Sequence, residues 1–399
     1  MKRAFTILLA LLIIVCFAAC SKSDASAPQS ITVNGDFVFV VDKDADNTAQ
    51  QAAVCLQATL AQKFPLFELP IGHTTPEKNA IVLHVDSSMA PGECTLELKS
   101  SGIYLTAQES HILLHAARQL RQALLDSGSP TVTQEMCSTV TQTLTPNDLP
   151  FVFLSQNLLS KDADGGNLVA DRTPRFEKLM KEYQPDILGT QECSLYWKQV
   201  IDSSFGDSYI STQTAANWDK RGNPIYFRAD RYEILDAGIF WLSPTPYIFS
   251  QFEGDSGPRQ CTWALVKDLI TNQELLVANC HPDWNNDTQR ALQVKVIFQE
   301  LGEKMQGTHV ILCGDFNSEP DGPIYTIVTG NGLLDSRKSA SLDRSEVDHT
   351  FHGFGADATF LDYIFHSDTL ETNLYRIASE TYGGYISDHY GVLAELKFK

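Results

Sequence analysis

Hydrophobic and polar positions follow regular patterns in the first third of the chain. Some segments alternate residue by residue, which is typical of half-buried strands, and others repeat with helical spacing. The predicted strands are 31–41, 81–85, 95–98 and 103–106, and the predicted helices are 48–64 and 110–125. This order predicts a small α+β sandwich domain over residues 31–127.

From residue 150 onward, short segments rich in β-branched residues alternate with helical segments such as 174–182 and 288–305. The pattern predicts a second unit, of the α/β class, over residues 150–399. Turn-forming residues and little helical periodicity characterise residues 128–149, which are therefore predicted to be a linker. No internal repeat of fixed period is present.

Composition narrows the class of protein. The 399 residues are 43% hydrophobic and 20% charged, and the mean hydropathy is −0.14. These values exclude a fibrous, a broadly disordered or a multi-span membrane protein. The net charge of −19 would repel phosphate backbones, so nucleic acid is a disfavoured partner.

The first twenty residues have the features of an export signal. Lys2 and Arg3 precede an apolar run over 4–19 that is shorter than the roughly 20 residues of a membrane-spanning helix. The run ends in small residues before Cys20, which resembles a bacterial lipoprotein cleavage site. We therefore predict a signal peptide over 1–20, a lipid on Cys20, a tether over 21–30 and a location in the cell envelope, outside the inner membrane. Ordinary signal cleavage and an uncleaved anchor are the alternatives.

The nine cysteines show no zinc-binding spacing. Four of them lie in or beside apolar strand-like segments and are predicted to be buried: Cys193, Cys261, Cys280 and Cys313. Cys55, Cys94 and Cys137 would permit one disulfide in an oxidising compartment, and the sequence does not identify the pair. His111 and His115 have the spacing of a zinc-protease pair but lack the accompanying Glu, so we interpret them as residues of a helix surface.

Polar residues at the ends of apolar strands indicate the chemistry. Asp315 and Asn317 follow an apolar strand and would project from the same face of its end, where they could orient a water molecule. Asp388 and His389 precede the final strand. Asp362 lies within an apolar strand, where a carboxylate is costly unless it is paired, and a histidine is its natural partner.

Three further strands end in ligand-type residues. Glu192 follows a strand and would suit a hard cation such as Mg²⁺. His281 and Asn157 end two others. Each residue alone is weak evidence, because strand-terminal Asp and Asn are common turn formers.

Together, in this order, these motifs resemble the endonuclease/exonuclease/phosphatase superfamily, which includes deoxyribonuclease-type nucleases, neutral sphingomyelinases and inositol polyphosphate phosphatases. The resemblance covers nearly all of residues 150–399. It implies an α/β fold, a four-layer α-β-β-α sandwich in which two packed β-sheets are flanked by helices. Trp284 is a departure, since a second His is common at that position in the family.

The resemblance also implies roles for these residues. Mg²⁺ or Mn²⁺ would be bound by Asn157, Glu192 and Asp388. The catalytic set would be His281, Asp315, Asn317, Asp362 and His389, in which Asp315 and Asn317 position the attacking water and Asp362 holds His389 in its tautomer. Asn223, Tyr226 and Arg259 are candidate substrate contacts.

We therefore expect a metal-dependent phosphoesterase. From residue 148 onward the chain has 36 Asp and Glu against 21 Lys and Arg, with no basic run, which favours a small, glycan-linked or lipid head-group phosphoester over DNA. No membrane-insertion segment is evident. The first unit resembles the accessory domain of β-hexosaminidase-type glycan hydrolases. The alternatives are a secreted nuclease of the same fold and a non-catalytic, glycan-binding surface lipoprotein, which would be expected to lack some of these residues.

Overall fold

The computed structural model describes residues 27–64, 66, 68–213 and 222–399. The predicted signal peptide, Cys20 and residues 21–26 of the predicted tether lie outside the described residues. Within the described part of the chain, no helix combines the length and the apolar character needed to cross a membrane.

In the described residues, the first unit contains eight strands and three helices. In chain order they are β1 (Ser30–Thr32), β2 (Val38–Val41), α1 (Asn47–Lys63), β3 (Ile71–Gly72), β4 (Ala80–Val85), β5 (Glu93–Lys99), β6 (Gly102–Ala107), α2 (Ser110–Ser127), β7 (Thr131–Thr133), α3 (Gln134–Val140) and β8 (Gln142–Thr143). Six strands form one sheet in the order β3-β2-β4-β6-β5-β8, and β1 pairs with β7. Apolar side chains of the sheet and the three helices share one core, which is the expected α+β arrangement.

Residues 128–149 are not a linker. β7 pairs with β1, β8 pairs with β5, and Val132 and Val140 are buried in the core of the first unit. The segment was misread because its elements are short, and short elements carry little periodicity. The end of the predicted tether also belongs to this unit, since Ser30 lies in β1 and the carbonyl of Gln29 accepts a hydrogen bond from the Gln134 amide.

Three other expectations for the first unit are corrected. The strand predicted over 31–41 is two strands, because the backbone turns at Asn34, whose carbonyl accepts the amide of Phe37. Cys55, Cys94 and Cys137 are all free thiols, so the permitted disulfide is absent from the described chain. His115 is buried and does not lie on a helix surface, because α2 faces the second unit. The four cysteines predicted to be buried in the second unit are buried.

Outside residues 214–221, which the structure does not describe, the second unit has thirteen strands and five helices. They are β9 (Phe151–Asn157), α4 (Val169–Tyr183), β10 (Ile187–Gln191), α5 (Leu195–Phe205), β11 (Tyr209–Ser211), β12 (Ile225–Arg228), β13 (Tyr232–Trp241), β14 (Gln260–Asp268), β15 (Glu274–Cys280), α6 (Asp287–Met305), β16 (His309–Asp315), α7 (Pro323–Gly330), β17 (Leu333–Asp335), α8 (Ser336–Ser339), β18 (Leu342–Asp343), β19 (Asp362–Ser367), β20 (Leu370–Ala378) and β21 (Gly391–Phe398).

Two sheets of this unit pack face to face, as expected. One has the order β11-β12-β10-β9-β21-β20-β18 and the other β13-β14-β15-β16-β19-β17. Side chains of β9 alternate between two cores: Phe151 and Phe153 lie in the core that both sheets share, and Val152 and Leu154 pack with α4 and α5. The sheets approach so closely that a Cβ at Gly189 would lie 2.9 Å from the Cys313 sulfur of the facing strand.

The two units meet at a buried group of ion pairs. Asp186, just before β10, is 3.0 Å from the Arg118 guanidinium of α2, and Arg121 lies 2.7 Å from Glu182 of α4. Arg231 lies 3.7 Å from Asp186. Since Glu192 stands at the other end of β10, this contact lies at the strand end away from Glu192.

Candidate active site

The predicted site residues come from strand ends that meet at one edge of the sandwich. Asn157 ends β9, Glu192 follows β10, His281 follows β15 and Asp315 ends β16. Asp362 begins β19 directly opposite Asp315 in the antiparallel register. The alternation of strand direction therefore gathers residues that are up to 232 positions apart, from Asn157 to His389.

A polar bridge between the two sheets fixes this edge. The side-chain amide of Gln191 donates to the Asn279 oxygen at 2.8 Å, and Asn279 donates in turn to the Thr190 carbonyl at 2.8 Å. Because Gln191 and Asn279 belong to facing sheets and are both buried, they hold β10 and β15 in fixed register beneath the site.

Asp315 is the centre of the hydrogen-bonded cluster. Its carboxylate accepts the Asn157 side-chain amide at 3.0 Å and the Asn317 backbone amide at 2.9 Å. The Nε2 atoms of His281 and His389 lie 3.4 Å and 3.6 Å from the same carboxylate. Asp315 is 1% exposed, so its charge is satisfied by these groups rather than by bulk water.

His389 and Asp362 form the predicted pair. The His389 Nδ1 lies 2.8 Å from the Asp362 carboxylate, and the Phe351 ring packs on the imidazole at a centroid distance of 4.9 Å. Burial alone would lower the pKa of His389, but the charges of Asp362 and Asp315 outweigh it and raise the pKa to about 10. His389 is therefore an imidazolium at neutral pH.

His281 has the opposite protonation behaviour. Burial lowers its pKa, although the nearby Asp315 carboxylate opposes that effect. The site thus holds one cationic and one neutral imidazole against the same carboxylate, an arrangement suited to proton transfer and charge stabilisation.

Glu192 and Asp388 supply the oxygen ligands of a candidate cation site. Glu192 accepts hydrogen bonds from the Ser160 amide and hydroxyl at 3.2 and 3.0 Å, and the backbone of Glu192 is left-handed with φ 51°. Burial raises the pKa of Asp388; His389 opposes this rise and the Glu192 charge adds to it. A divalent cation between the two carboxylates would relieve that repulsion, and carboxylate oxygens suit Mg²⁺ or Mn²⁺.

A second group of ligand-type atoms overlaps the cluster. Asp315, Asp362 and His389 bring such atoms within 4.8 Å of one another. The Nδ1 of His389 is already hydrogen bonded to Asp362, and a cationic imidazole repels a metal ion. We therefore favour Glu192 and Asp388 as the ligands. Asn157 lies against Asp315, and its contact with a cation stays a prediction.

The candidate substrate contacts have different positions. Asn223 and Arg259 line a cavity of about 680 Å³ together with His281, Asp315, Asn317 and His389. Arg259 faces the buried Asp283 at 3.9 Å. Tyr226 is only 2% exposed and packs in the core between the sheet and α5, so its assignment as a substrate contact was wrong.

The sequence analysis missed two kinds of residue. One supports the loops of the site: the buried Arg172 guanidinium donates to the carbonyls of Leu159 and Ile386, at 2.9 and 3.2 Å, and so ties together the loops that follow β9 and precede β21. The other is aromatic: Trp241, Phe249, Trp284 and Phe351 line the cavity, and the sequence analysis gave none of them a role there, although it noted Trp284 as a departure from the family pattern. Apolar periodicity does not distinguish an exposed aromatic residue in a loop from a buried one, and the exposed segment Tyr247, Ile248 and Phe249 was overlooked for that reason.

Comparison with known proteins decides the family. A model of the Endonuclease/Exonuclease/phosphatase family matches residues 154–389, from β9 to His389. The chain belongs to this family.

Members of the endonuclease/exonuclease/phosphatase family with solved structures resemble the second unit. A mannosyl-6-phosphatase from Bacteroides thetaiotaomicron is 26% identical with a TM-score of 0.57, and the match covers 62% of this chain and 100% of that chain. A family protein from Bacteroides vulgatus is 25% identical with a TM-score of 0.58, over 63% of this chain and 99% of that chain. Both confirm the sandwich fold.

Curated relatives match a smaller part of the chain. Protein angel homolog 1 of Rattus norvegicus is 28% identical over 215 residues, which cover 46% of this chain and 31% of the relative. Carbon catabolite repressor protein 4 homolog 3 of Arabidopsis thaliana is 27% identical over 157 residues, 37% of this chain and 33% of the relative. The chain therefore spans about a third of the length of these relatives.

Proposed function

We propose that the protein is a metal-dependent phosphoester hydrolase that acts outside the cytoplasm on a small, glycan-linked or lipid head-group phosphoester. The observation that carries the proposal is the cluster of His281, Asp315 and His389 in one cavity beside the carboxylates of Glu192 and Asp388. The mannosyl-6-phosphatase neighbour and the acidic surface support a small phosphoester over a polynucleotide.

Each residue has a defined task in the proposed reaction. Asp315, held by Asn157 and Asn317, orients the attacking water and accepts its proton. His389, kept cationic by Asp362, and the neighbouring His281 donate to the phosphoryl oxygens, where negative charge accumulates. When bound at Glu192 and Asp388, Mg²⁺ or Mn²⁺ would supply Lewis-acid stabilisation of a phosphoryl oxygen.

The predicted signal peptide and the predicted lipid on Cys20 add a location to the proposal. A lipid on Cys20 would place both units at the cell envelope, where phosphorylated glycans and lipid head groups are accessible substrates. A secreted nuclease of the same fold is the second candidate, because the curated relatives include a protein named as a 3'-5'-exoribonuclease subunit.

The test uses soluble protein without residues 1–20, supplied with Mg²⁺ or Mn²⁺. We expect hydrolysis of sugar phosphates or other small phosphoesters that EDTA stops and added metal restores. His389→Ala and Asp315→Asn should each lower kcat by about 10²-fold or more. Activity that is insensitive to EDTA would contradict the metal assignment, and a higher kcat/KM for plasmid DNA than for every small phosphoester would favour the nuclease.

A further inference from the structure

The catalytic cavity is larger than a phosphate group requires. Its volume of about 680 Å³ lies in the range of cavities that enclose a whole small molecule. Besides the catalytic groups, its lining includes Trp241, Phe249, Trp284 and Phe351. The space beyond the phosphate is therefore shaped by aromatic side chains.

Two of these aromatic residues are exposed to solvent over most of their surface. Trp284 is 63% exposed and Phe249 is 69% exposed. Large apolar side chains are usually buried, and several exposed ones at the mouth of a cavity are typical of a binding surface. Phe351, by contrast, packs against His389 and Trp241 packs against Phe249.

The segment that carries Phe249 is held in place by specific contacts. The Trp241 and Phe249 rings meet edge to face at a centroid distance of 4.8 Å, and the Tyr247 hydroxyl hydrogen bonds to Glu300 of α6. The hydroxyls of Ser243 and Ser250 are 2.6 Å apart at the base of the same segment. A rigid platform loses little conformational freedom on binding.

The loop with Trp284 is equally well anchored. Trp284 follows His281 by three residues, and its carbonyl accepts the Arg290 guanidinium at 2.9 Å. The preceding Asp283, which is fully buried, accepts the Ser256 amide at 2.7 Å and the Asn285 amide at 2.7 Å. The backbone at Trp284 is thus anchored, and Trp284 lines the same cavity as His281 and His389.

The chemistry of the lining selects among ligands. Besides the aromatic residues, the lining includes the polar residues Ser160, Asn223 and Ser256. A pyranose ring has an apolar face that stacks on an aromatic ring and a rim of hydroxyls that hydrogen bond, so it matches both features. An acyl chain offers no hydrogen bonds to a lining that also contains polar and charged groups, and the acidic charge of the unit disfavours a polynucleotide.

We propose that Trp284 and Phe249 form a stacking platform that binds the sugar ring of a phosphorylated glycan while its phosphate faces His281 and His389. The inference rests on the proposed phosphoesterase function. It adds that ring recognition, rather than the phosphate alone, determines which phosphoester is hydrolysed.

The test compares a hexose 6-phosphate, glycerol 3-phosphate and adenosine 5'-monophosphate as substrates of the metal-supplemented protein. We expect the hexose 6-phosphate to have the highest kcat/KM. In Trp284→Ala, the kcat/KM ratio of hexose 6-phosphate to glycerol 3-phosphate should fall about tenfold, mainly through KM, because the stacking contact is lost. Trp284→Phe should restore part of the ratio, which a merely structural role would not produce.

Tyr196→Ala is the matched control, because Tyr196 is a 48% exposed aromatic residue of α5 that does not line the cavity. Its substrate ratio should equal that of the unmodified protein. Hydrolysis of all three substrates with a ratio that Trp284→Ala leaves unchanged would overturn the platform and leave the phosphoesterase function standing. A preference for adenosine 5'-monophosphate that depends on Trp284 would overturn the sugar assignment. Failure to hydrolyse any phosphoester would overturn the proposed function itself.

Discussion

Asp362→Asn is the most direct test of how the cluster works. The substitution keeps the size of the side chain and removes the charge that lies 2.8 Å from the His389 Nδ1. Asp362 is 1% exposed, so water cannot replace the lost charge. We expect His389 to lose both its fixed tautomer and the carboxylate that keeps it cationic.

The size of the effect follows from the geometry. Coulomb's law gives about 6 kcal/mol for unit charges 2.8 Å apart at an effective dielectric constant of ~20, and desolvation of the pair offsets part of it. Breaking a buried pair costs roughly 3–5 kcal/mol. A loss of about 3–4 kcal/mol in the transition state corresponds to a decrease of roughly 10²- to 10³-fold in kcat.

The assay is steady-state hydrolysis of a small phosphoester with saturating Mg²⁺, together with a thermal melt. We expect kcat to fall and KM to change little, because the imidazolium acts on charge that develops in the transition state. Asp335→Asn is the matched control, since Asp335 is also a buried carboxylate and pairs with β19 through Phe365. It should lower the melting temperature but leave kcat unchanged. A kcat within threefold of normal in a folded Asp362→Asn protein would refute the role of the pair.

Three further predictions concern the rest of the chain. Asp186→Asn should destabilise the protein by about 3–5 kcal/mol in urea unfolding, because Arg118 and Arg231 lose a buried partner. The Asp348 side chain is 98% exposed, so Asp348→Asn should change stability little, and equal unfolding midpoints for the two variants would contradict the ion-pair argument. Burial and the Arg118 charge lower the pKa of His115 from 6.5 to about 3, so the unfolded chain binds the proton more tightly, and the free energy of unfolding falls by roughly 2 kcal/mol between neutral pH and pH 5. His115→Gln should flatten this dependence of urea unfolding on pH, and an unaltered slope would contradict the assignment of the dependence to His115. Cys20→Ala should release the protein from the membrane fraction or leave it uncleaved, and an intact mass of the wild-type protein without an acyl increment would exclude the lipid anchor.

Much of the site was predictable because its polar residues can be recognised from their immediate neighbours in the sequence. A carboxylate or an imidazole at the end of an apolar strand is visible in the sequence, and Asp315, Asp362 and His389 do meet as predicted. Their convergence follows from sheet geometry, since strand ends of a two-sheet sandwich share an edge. The pairing of Asp362 with a histidine was predictable because an unpaired buried carboxylate is too costly.

The errors arose where tertiary contacts decide the outcome. Tyr226 and the exposed Trp284 are both aromatic residues near polar motifs, and only the packing of α5 against the sheet distinguishes their burial. Residues 128–149 contain turn formers, yet their short strands pair with β1 and β5, which lie far away in the sequence. His115 is buried by contact with the second unit, and a helical pattern does not reveal contacts between units.

The position of the first unit limits its part in the reaction. Asp186 and Glu192 lie at opposite ends of β10, so the Arg118 contact reaches the end of the strand that is remote from Glu192, and Arg121 contacts α4. Among the residues that the structure describes, none that lines the candidate active-site cavity comes from the first unit. The buried ion pairs nevertheless connect α2 directly to β10 and α4. Unfolding of either unit would break these pairs, so the pairs stabilise both units. The first unit is thus placed to stabilise the strand that carries Glu192 without contacting the substrate in the cavity.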